Sequence, residues 1–220
     1  MNIALILSSG VGARFGGNTP KQYLKVLGKE AISYVVEAAK SSKTIDKIII
    51  VAHEPYKSEL AKQYGVETVE GGSTRNISFR NGIDYIKANY KCESLIVLDA
   101  VRPFVTGDII DFYISKTEEY NICVTAKKIT DSLCCLDMPT CDRDRYYMTS
   151  SPMSFRFDEL DKYLKADSQL VEVLQMYPSD IKVYLNYDFK NNYKLTYAED
   201  LDFIEAYMTA QKLKPERNGK

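Results

Sequence analysis

The 220-residue sequence predicts an α/β fold with a doubly wound, mostly parallel sheet, because short β-rich apolar runs alternate with longer helical patterns. Two of these runs, IALIL and KIIIVA, are apolar at consecutive positions, which is typical of strands covered by helices on both faces. A chain of this length is long enough for one compact domain and short for two. We therefore expect a single Rossmann-like domain over residues 1–220.

The predicted elements follow one another in the order that such a sheet requires. In the helix predicted over residues 75–89, Ile83 and Ile86 are spaced so that they share one face. The predicted strands are 3–7, 47–52, 67–70, 95–98, 122–126 and, nearer the end, about 181–185. The predicted helices are 32–41, 56–64, 75–89, 108–119 and 198–211, and a polar tail over about 212–220 is expected to be flexible.

The alternation of strands and helices stops between about residues 127 and 151. This stretch is polar, contains Pro139 and has no helical period, so it is predicted to form a protruding arm. Segments of this length are usually functional or interfacial. The alternative is a loop that packs on its own domain.

Charge and hydropathy exclude several classes of protein. The net charge of -1 gives no general attraction to nucleic acid or to an anionic membrane surface. No apolar run approaches the roughly 20 residues that cross a bilayer. The first apolar run has no basic segment before it and leads into a glycine-rich loop, so neither a signal peptide nor an anchor is expected.

The cysteines and the single histidine do not indicate a metal site. Five cysteines without a CxxC pair, together with one histidine (His53), argue against a zinc site. Free thiols in a reducing cytoplasm are the simplest interpretation. Cys134 and Cys135 could form a redox pair, although adjacent cysteines bridge only with strain.

The segment SSGVGARFGGNTPKQYL after the first predicted strand indicates a phosphate-binding loop. Its glycines allow positive φ and a close approach of the backbone to a ligand, and free N–H groups in such a turn bind anions. The spacing fits neither the GxGxxG of dinucleotide-binding loops nor a Walker A loop. Arg14 and Lys21 flank the glycines and could stabilise charge on a phosphate chain. A plain structural loop is the alternative.

This loop resembles that of the cytidylyltransferases that act on 2-C-methylerythritol 4-phosphate and of their relatives that act on ribitol 5-phosphate. The resemblance lies in GVGARFG followed by PKQ. It implies transfer of CMP from CTP to a small polyol phosphate with release of pyrophosphate. It also implies catalytic roles for Arg14 and Lys21 and contacts to the nucleotide from Ser8, Ser9, Gly10 and Gly12.

The resemblance continues downstream in the same order. GGSTRNISFRNGI resembles the segment that recognises cytosine, which implies that role for Gly72, Ser73 and Ser78. LDAVRPF resembles HDAxRP at the end of a strand, with leucine in place of the family's histidine. There Asp99 is expected to hold or orient Mg²⁺ on the triphosphate and to contribute to the acceptor site. The match also places Ala100 at the nucleotide and Arg102 at the acceptor, while a surface ion pair between Asp99 and Arg102 is the alternative.

The last motifs fall on the acceptor side and at the phosphates. KKITDSL and DRDRYYMTSSPMSF resemble segments that reach the acceptor phosphate across a dimer interface, which implies acceptor binding by Ser132, Arg143 and Ser151. NNYKLTYAEDL places Lys194 at the family's second catalytic lysine. The resemblance thus implies a homodimer in which the arm closes the neighbouring site. Serine replaces threonine at 132 and 151, and Ser150 and Met153 replace two glutamines, so the pocket wall for the acceptor has changed.

Several alternatives remain open at this point. DAVRPF favours the ribitol 5-phosphate enzymes, which feed cell-wall or capsular polymers. The DSQLVE segment and the short chain favour the methylerythritol 4-phosphate enzymes of isoprenoid synthesis, and a third polyol phosphate is compatible with the altered wall. Other interpretations are a sugar-1-phosphate nucleotidyltransferase and a non-catalytic nucleotide-binding relative. A nicotinamide-dependent oxidoreductase is disfavoured because no acidic residue stands at the ribose-reading position.

Overall fold

A computed structural model describes residues 1–10, 15, 19–134, 136, 142–168 and 173–213. The strands are β1 (Asn2–Leu7), β2 (Lys25–Val26), β3 (Lys29–Glu30), β4 (Lys47–Ala52), β5 (Glu67–Glu70), β6 (Ser94–Asp99), β7 (Ile122–Lys128), β8 (Tyr147–Arg156) and β9 (Val183–Asn186). The α-helices are α1 (Ala31–Ser41), α2 (Tyr56–Tyr64), α3 (Arg75–Asn89), α4 (Gly107–Lys116), α5 (Phe157–Tyr163) and α6 (Glu199–Leu213).

Seven strands form the main sheet in the order β5-β4-β1-β6-β8-β7-β9, while β2 and β3 pair as a separate antiparallel hairpin. The four adjacent strands β5, β4, β1 and β6 run parallel to one another. Strand β8 is antiparallel to its neighbours β6 and β7, and β9 is parallel to β7. The prediction of a doubly wound, mostly parallel sheet is therefore confirmed. The chain runs outward from β1 through β4 to β5 and returns to β6 on the other side of β1. The boundary between β1 and β6 is thus the topological switch point, where open α/β sheets bind ligands.

The sheet is covered on both faces because alternate residues of each strand point in opposite directions. On β1, Ala4 and Ile6 pack in a buried cluster with α1, α2 and α4. Ile3 and Leu5 belong to the opposite cluster, which contains α3 and α5. These two layers explain why IALIL is apolar at consecutive positions.

Helix α6 forms a third, smaller cluster that matters for the site. Ile204 and Met208 on α6 pack with Val101 and Leu195. The backbone N–H of Leu195 donates to the carbonyl of Val101 at 3.0 Å. This contact holds Lys194 beside the carboxyl end of β6.

The predicted arm is partly strand, which corrects its boundaries. Its two ends belong to the antiparallel pair β7 and β8, with Lys127 opposite Met148 and Lys128 opposite Tyr147. The pattern gave no sign of β8 because that strand contains Pro152, and prolines within sheets are confined to edges and bulges. Here Pro152 lies at a bulge, since Val124 pairs with Met153 whereas the next residue pairs with Ser150.

The thiols of Cys92 and Cys123 are free, and burial raises the pKa of each to about 12. Cys134 is free and exposed, whereas Cys135, Cys141 and the predicted tail from residue 214 lie outside the described residues. Across the described part of the chain, no three His, Cys, Asp or Glu side chains cluster as a metal site would require. Among the same residues, no helix is long and apolar enough to span a bilayer.

Candidate active site

A cavity of about 380 Å³ opens at the switch point, beyond the carboxyl ends of β1, β4, β5 and β6. It brings together most of the predicted site residues that the structure describes. Those in its lining are Ser8, Ser9, Gly10, Lys21, Gly72, Ser73, Ser78, Asp99, Ala100 and Lys194. Arg14 and Gly12, both predicted here, lie outside the described residues.

The segment Pro20-Lys21-Gln22 fastens the glycine-rich loop to the end of β1. Gln22 donates from Nε2 to the carbonyls of Ser8, at 2.6 Å, and Gly10, at 2.9 Å. The hydroxyl of Tyr23 lies 3.1 Å from that of Ser8, and its ring stacks on Tyr56 at 3.9 Å. Lys21 is therefore presented to the cavity from a fixed turn, and only 9% of its surface is exposed.

One part of the cavity lining is uncharged and consists of Ser9, Gly72 and Ser78. We call these three residues, together with the adjoining Gly71, the serine–glycine wall. Ser78 Oγ accepts hydrogen bonds from the N–H of Gly72 at 3.0 Å and the hydroxyl of Ser9 at 2.7 Å. A Cβ on Gly71 would lie 2.4 Å from the Cβ of Ser9. This wall therefore depends on missing side chains and on one buried hydroxyl.

Another part of the lining carries a cluster of charges around Asp99 at the end of β6; we call it the charged cluster. Asp99 Oδ2 accepts from Lys194 Nζ at 3.1 Å and from Arg102 Nε at 3.3 Å, and Oδ1 lies 3.7 Å from Arg75. Burial alone would raise the pKa of Asp99, but Lys194, Arg75 and Arg102 together hold it well below its usual range. Asp99 is therefore ionised, and the cluster of three cations and one carboxylate keeps a positive charge.

Ser151 stands behind Asp99 and does not appear in the lining of the cavity. Its buried hydroxyl accepts from the backbone N–H of Asp99 at 2.8 Å and donates to the carbonyl of Val97 at 3.1 Å. The structure thus gives Ser151 a role in holding the end of β6, and its contact with the acceptor stays a prediction. Ser151 lies at the bulge of β8, beside β6.

Ser132 and Arg143 lie on the exposed arm, apart from the lining of the cavity. The guanidinium of Arg143 donates to the carbonyl of Thr130 at 2.8 Å, which is a contact within the arm. Arg102, by contrast, is held at the charged cluster and donates to the carbonyl of Asn192 at 2.8 Å. Of the acceptor residues predicted from the sequence, Asp99 and Arg102 are therefore brought together.

Four residues that were not predicted as site residues contribute to the site. Gln22 fixes the loop, Arg75 joins the charged cluster and His53 lines the cavity. Asn192 donates from Nδ2 to the carbonyl of Ser151 at 2.6 Å. Gln22 and Arg75 stood inside motifs already noted, whereas the role of Asn192 depends on a contact across 41 residues that no local pattern shows.

The residues present fit a magnesium ion that arrives with phosphates better than a resident one. Asp99 is the single carboxylate in the described lining of the cavity. Mg²⁺ commonly binds one or two carboxylates together with substrate phosphates and water. The three cations around Asp99 would oppose a bare metal ion but not a metal–triphosphate complex, which carries negative charge.

The comparisons with known proteins agree with this geometry. A family model described as 2-C-methyl-D-erythritol 4-phosphate cytidylyltransferase matches residues 2–210. A protein of that name from Petrotoga mobilis is 30% identical over 223 residues, covering 93% of this chain and 97% of that relative. A second, from Lachnoclostridium phytofermentans, is 32% identical over 228 residues, covering 93% and 95% respectively.

Solved structures show the same fold. The 4-diphosphocytidyl-2C-methyl-D-erythritol synthase of Anaerococcus prevotii superposes with a TM-score of 0.79 at 24% identity, covering 94% of this chain and 98% of that one. The 2-C-methyl-D-erythritol 4-phosphate cytidylyltransferase of Thermus thermophilus superposes with a TM-score of 0.73 at 19% identity, covering 95% and 100%.

Proposed function

The chain belongs to the 2-C-methyl-D-erythritol 4-phosphate cytidylyltransferase family and is a nucleotidyltransferase, and on this premise we propose that it transfers CMP from CTP to 2-C-methyl-D-erythritol 4-phosphate. The observation that carries the proposal is the cavity at the switch point. It joins a glycine-rich loop, an uncharged serine–glycine wall and a cluster of cations around Asp99. A nucleoside triphosphate needs these three surfaces.

The reaction exchanges one phosphorus–oxygen bond for another. An oxygen of the acceptor's phosphate attacks the α-phosphorus of CTP in line. The bond from that phosphorus to the bridging oxygen breaks, and the electron pair leaves with pyrophosphate. A phosphate monoester is already ionised near neutral pH, so the attack requires no general base. This agrees with a chain that has a single histidine.

Catalysis then depends on positioning the substrates and on stabilising negative charge, and the cationic side chains of the chain provide both. Lys21 lies on the turn that Gln22 fixes, and Lys194 is held by the contact between Leu195 and Val101. Both line the cavity, as Arg75 does. We assign Lys21 and Lys194 to the α-phosphoryl group and the leaving oxygens, and the family resemblance adds Arg14.

Asp99 and Arg102 form the acceptor side in this proposal. Arg102 is fixed by Asp99 and by the carbonyl of Asn192, so its guanidinium is oriented before substrate arrives. When Mg²⁺ is bound with CTP it neutralises charge on the phosphates, and Asp99 is the residue that would hold or orient it. The cations around Asp99 can then contact phosphate oxygens.

We assign the arm to a homodimer in which each copy completes the other's acceptor site. The arm carries three exposed apolar side chains, Leu136, Tyr146 and Met148. In a homodimer, the surface of the second copy would cover them. Arg143 also lies on the arm, away from its own cavity, which suits a contact with a partner's substrate. Light scattering at micromolar concentration is expected to give twice the mass of the chain. A monomer would overturn this assignment.

The test of the reaction is pyrophosphate release with CTP and Mg²⁺, with methylerythritol 4-phosphate, ribitol 5-phosphate and glycerol 3-phosphate offered in parallel. Release with methylerythritol 4-phosphate alone, abolished by a metal chelator, is the expected result. Release with ribitol 5-phosphate instead would support the transfer of CMP from CTP but overturn the assignment of methylerythritol 4-phosphate as the acceptor. If no acceptor gave pyrophosphate release and CTP did not stabilise the fold, the proposal would be overturned.

A further inference from the structure

His53 is the single histidine of the chain, and it borders the serine–glycine wall of the cavity. It follows β4 directly, and its side chain is 38% exposed. A Cβ on Gly71 would lie 2.9 Å from its Cε1 and 3.1 Å from its Nε2. The ring therefore occupies space that only a glycine at position 71 leaves open.

Glu70 fixes which nitrogen of this ring carries a proton. His53 Nδ1 lies 2.9 Å from one carboxylate oxygen of Glu70, and Lys57 Nζ lies 2.8 Å from the other. Hydrogen bonds from Lys57 and then from His53 hold the pKa of Glu70 below its usual range, so this carboxylate is ionised. An ionised carboxylate only accepts hydrogen bonds, so Nδ1 must donate. In the neutral ring Nε2 is then left with a lone pair and acts as an acceptor.

No group among the described residues hydrogen-bonds Nε2. The Nδ1 contact explains the orientation of the ring but leaves this acceptor at the border of the cavity. A ligand that supplies an N–H donor there would complete the hydrogen bonding of the ring.

The distribution of charge indicates which part of a nucleotide lies near His53. The triphosphate is the strongly anionic part, and its favourable surface is formed by the cations that line the cavity, which are Lys21, Arg75 and Lys194. The serine–glycine wall offers backbone groups and hydroxyls and carries no charge of its own. The nucleobase, which is neutral and hydrogen-bonds along its edge, therefore belongs on that wall and beside His53.

We propose that His53 determines nucleobase specificity by accepting a hydrogen bond at Nε2 from the exocyclic amino group of cytosine. The inference rests on the proposed function, and it deepens that function by naming a residue that discriminates between pyrimidines. A uracil at the same place presents a carbonyl oxygen to the lone pair of Nε2, so two acceptors would face each other. A site that hydrogen-bonds a substrate group rejects the analogue that lacks it.

The test compares CTP with UTP in the wild-type protein, in His53→Phe and in His53→Ala, at saturating acceptor. His53→Phe keeps a flat ring and removes the acceptor, while His53→Ala removes both. In each variant the ratio of kcat/KM for CTP to that for UTP is expected to fall by about tenfold, because one hydrogen bond of about 1.4 kcal/mol is lost. Most of the change is expected in the KM for CTP.

Lys57→Met is the matched control, because it removes the second partner of Glu70 and leaves the imidazole in place. It is expected to keep the CTP-to-UTP ratio within about twofold, while Glu70→Gln, which no longer fixes the tautomer, lowers the ratio by an intermediate amount. Melting temperatures verify that each variant is folded. An unchanged ratio in His53→Phe, or an equal loss with both nucleotides, would overturn the inference.

Binding separates this inference from the proposed function. If the wild-type protein turned over neither nucleotide, the proposed reaction would fail. Calorimetric titration with CTP and UTP in the presence of Mg²⁺ would still decide the role of His53. A preference for CTP that His53→Phe reduces would support it, and equal binding of both nucleotides would overturn it.

Discussion

The two sides of the cavity are built in opposite ways. The serine–glycine wall depends on short hydrogen bonds around Ser78 and on positions where a side chain is missing. The charged cluster depends on Asp99, which holds Lys194 across 95 residues of sequence and Arg102 across three. The wall thus leaves space open where side chains are missing and presents backbone groups, while the cluster concentrates charge. We expect damage to the cluster and its neighbouring cations to affect turnover and stability, and damage to the wall to affect nucleotide affinity.

The largest effect is expected for Lys21→Ala, which removes a cation without disturbing the sheet. Loss of one stabilising group at developing negative charge typically costs about a hundredfold in kcat. Lys25→Ala is the matched control, because Lys25 is an exposed lysine four residues away. A folded Lys21→Ala variant with unchanged kcat would refute its assignment.

Asp99→Asn is expected to lower kcat/KM about thirtyfold and to destabilise the fold by about 3 kcal/mol, since it leaves partly buried cations without their anion. The pKa of Asp99 is lower in the folded chain than in the unfolded chain. The ion pairs of Asp99 therefore stabilise the fold fully at a pH above the pKa of the unfolded chain, and this stabilisation is lost as the pH falls. The difference in unfolding free energy between wild type and variant should be constant above about pH 5 and shrink below about pH 4. Urea titrations at a series of pH values measure this difference in unfolding free energy. The exposed Asp180, changed to Asn, should show no such difference.

On the wall, Gly72→Ala is expected to raise the KM for CTP about tenfold, because forcing a side chain into packed space costs about 1–3 kcal/mol. The new Cβ would lie 2.1 Å from Cγ2 of Ile77. The KM for the acceptor serves as the internal control and should change little. Equal changes in both constants would show that the wall and the cluster are not separate.

Ser78→Ala should have the smallest effect, a rise of about threefold in the KM for CTP, because one buried hydroxyl is lost and the N–H of Gly72 loses its acceptor. Steady-state kinetics with varied CTP measure it. A fall in kcat with an unchanged KM would assign Ser78 to the chemical step instead.

The same contrast explains how much the sequence could predict. Helix α3 was predicted with its observed boundaries, because Thr74 caps it by accepting from the N–H of Ile77 and the periodicity is local. The cavity was also anticipated, since its loops follow buried strands. The support of Asp99 by Ser151 and Asn192 was not, because these contacts join segments 41 and 52 residues apart. Strand β8 was missed because Pro152 and a bulge interrupt its pattern.

Strand β8 also limits how this chain can vary in evolution. Its register sets the face on which Ser151 lies, and a shift by one residue would turn that hydroxyl away from Asp99. Insertions and deletions should therefore be rare within β8. The strand must keep its number of residues even where its side chains change.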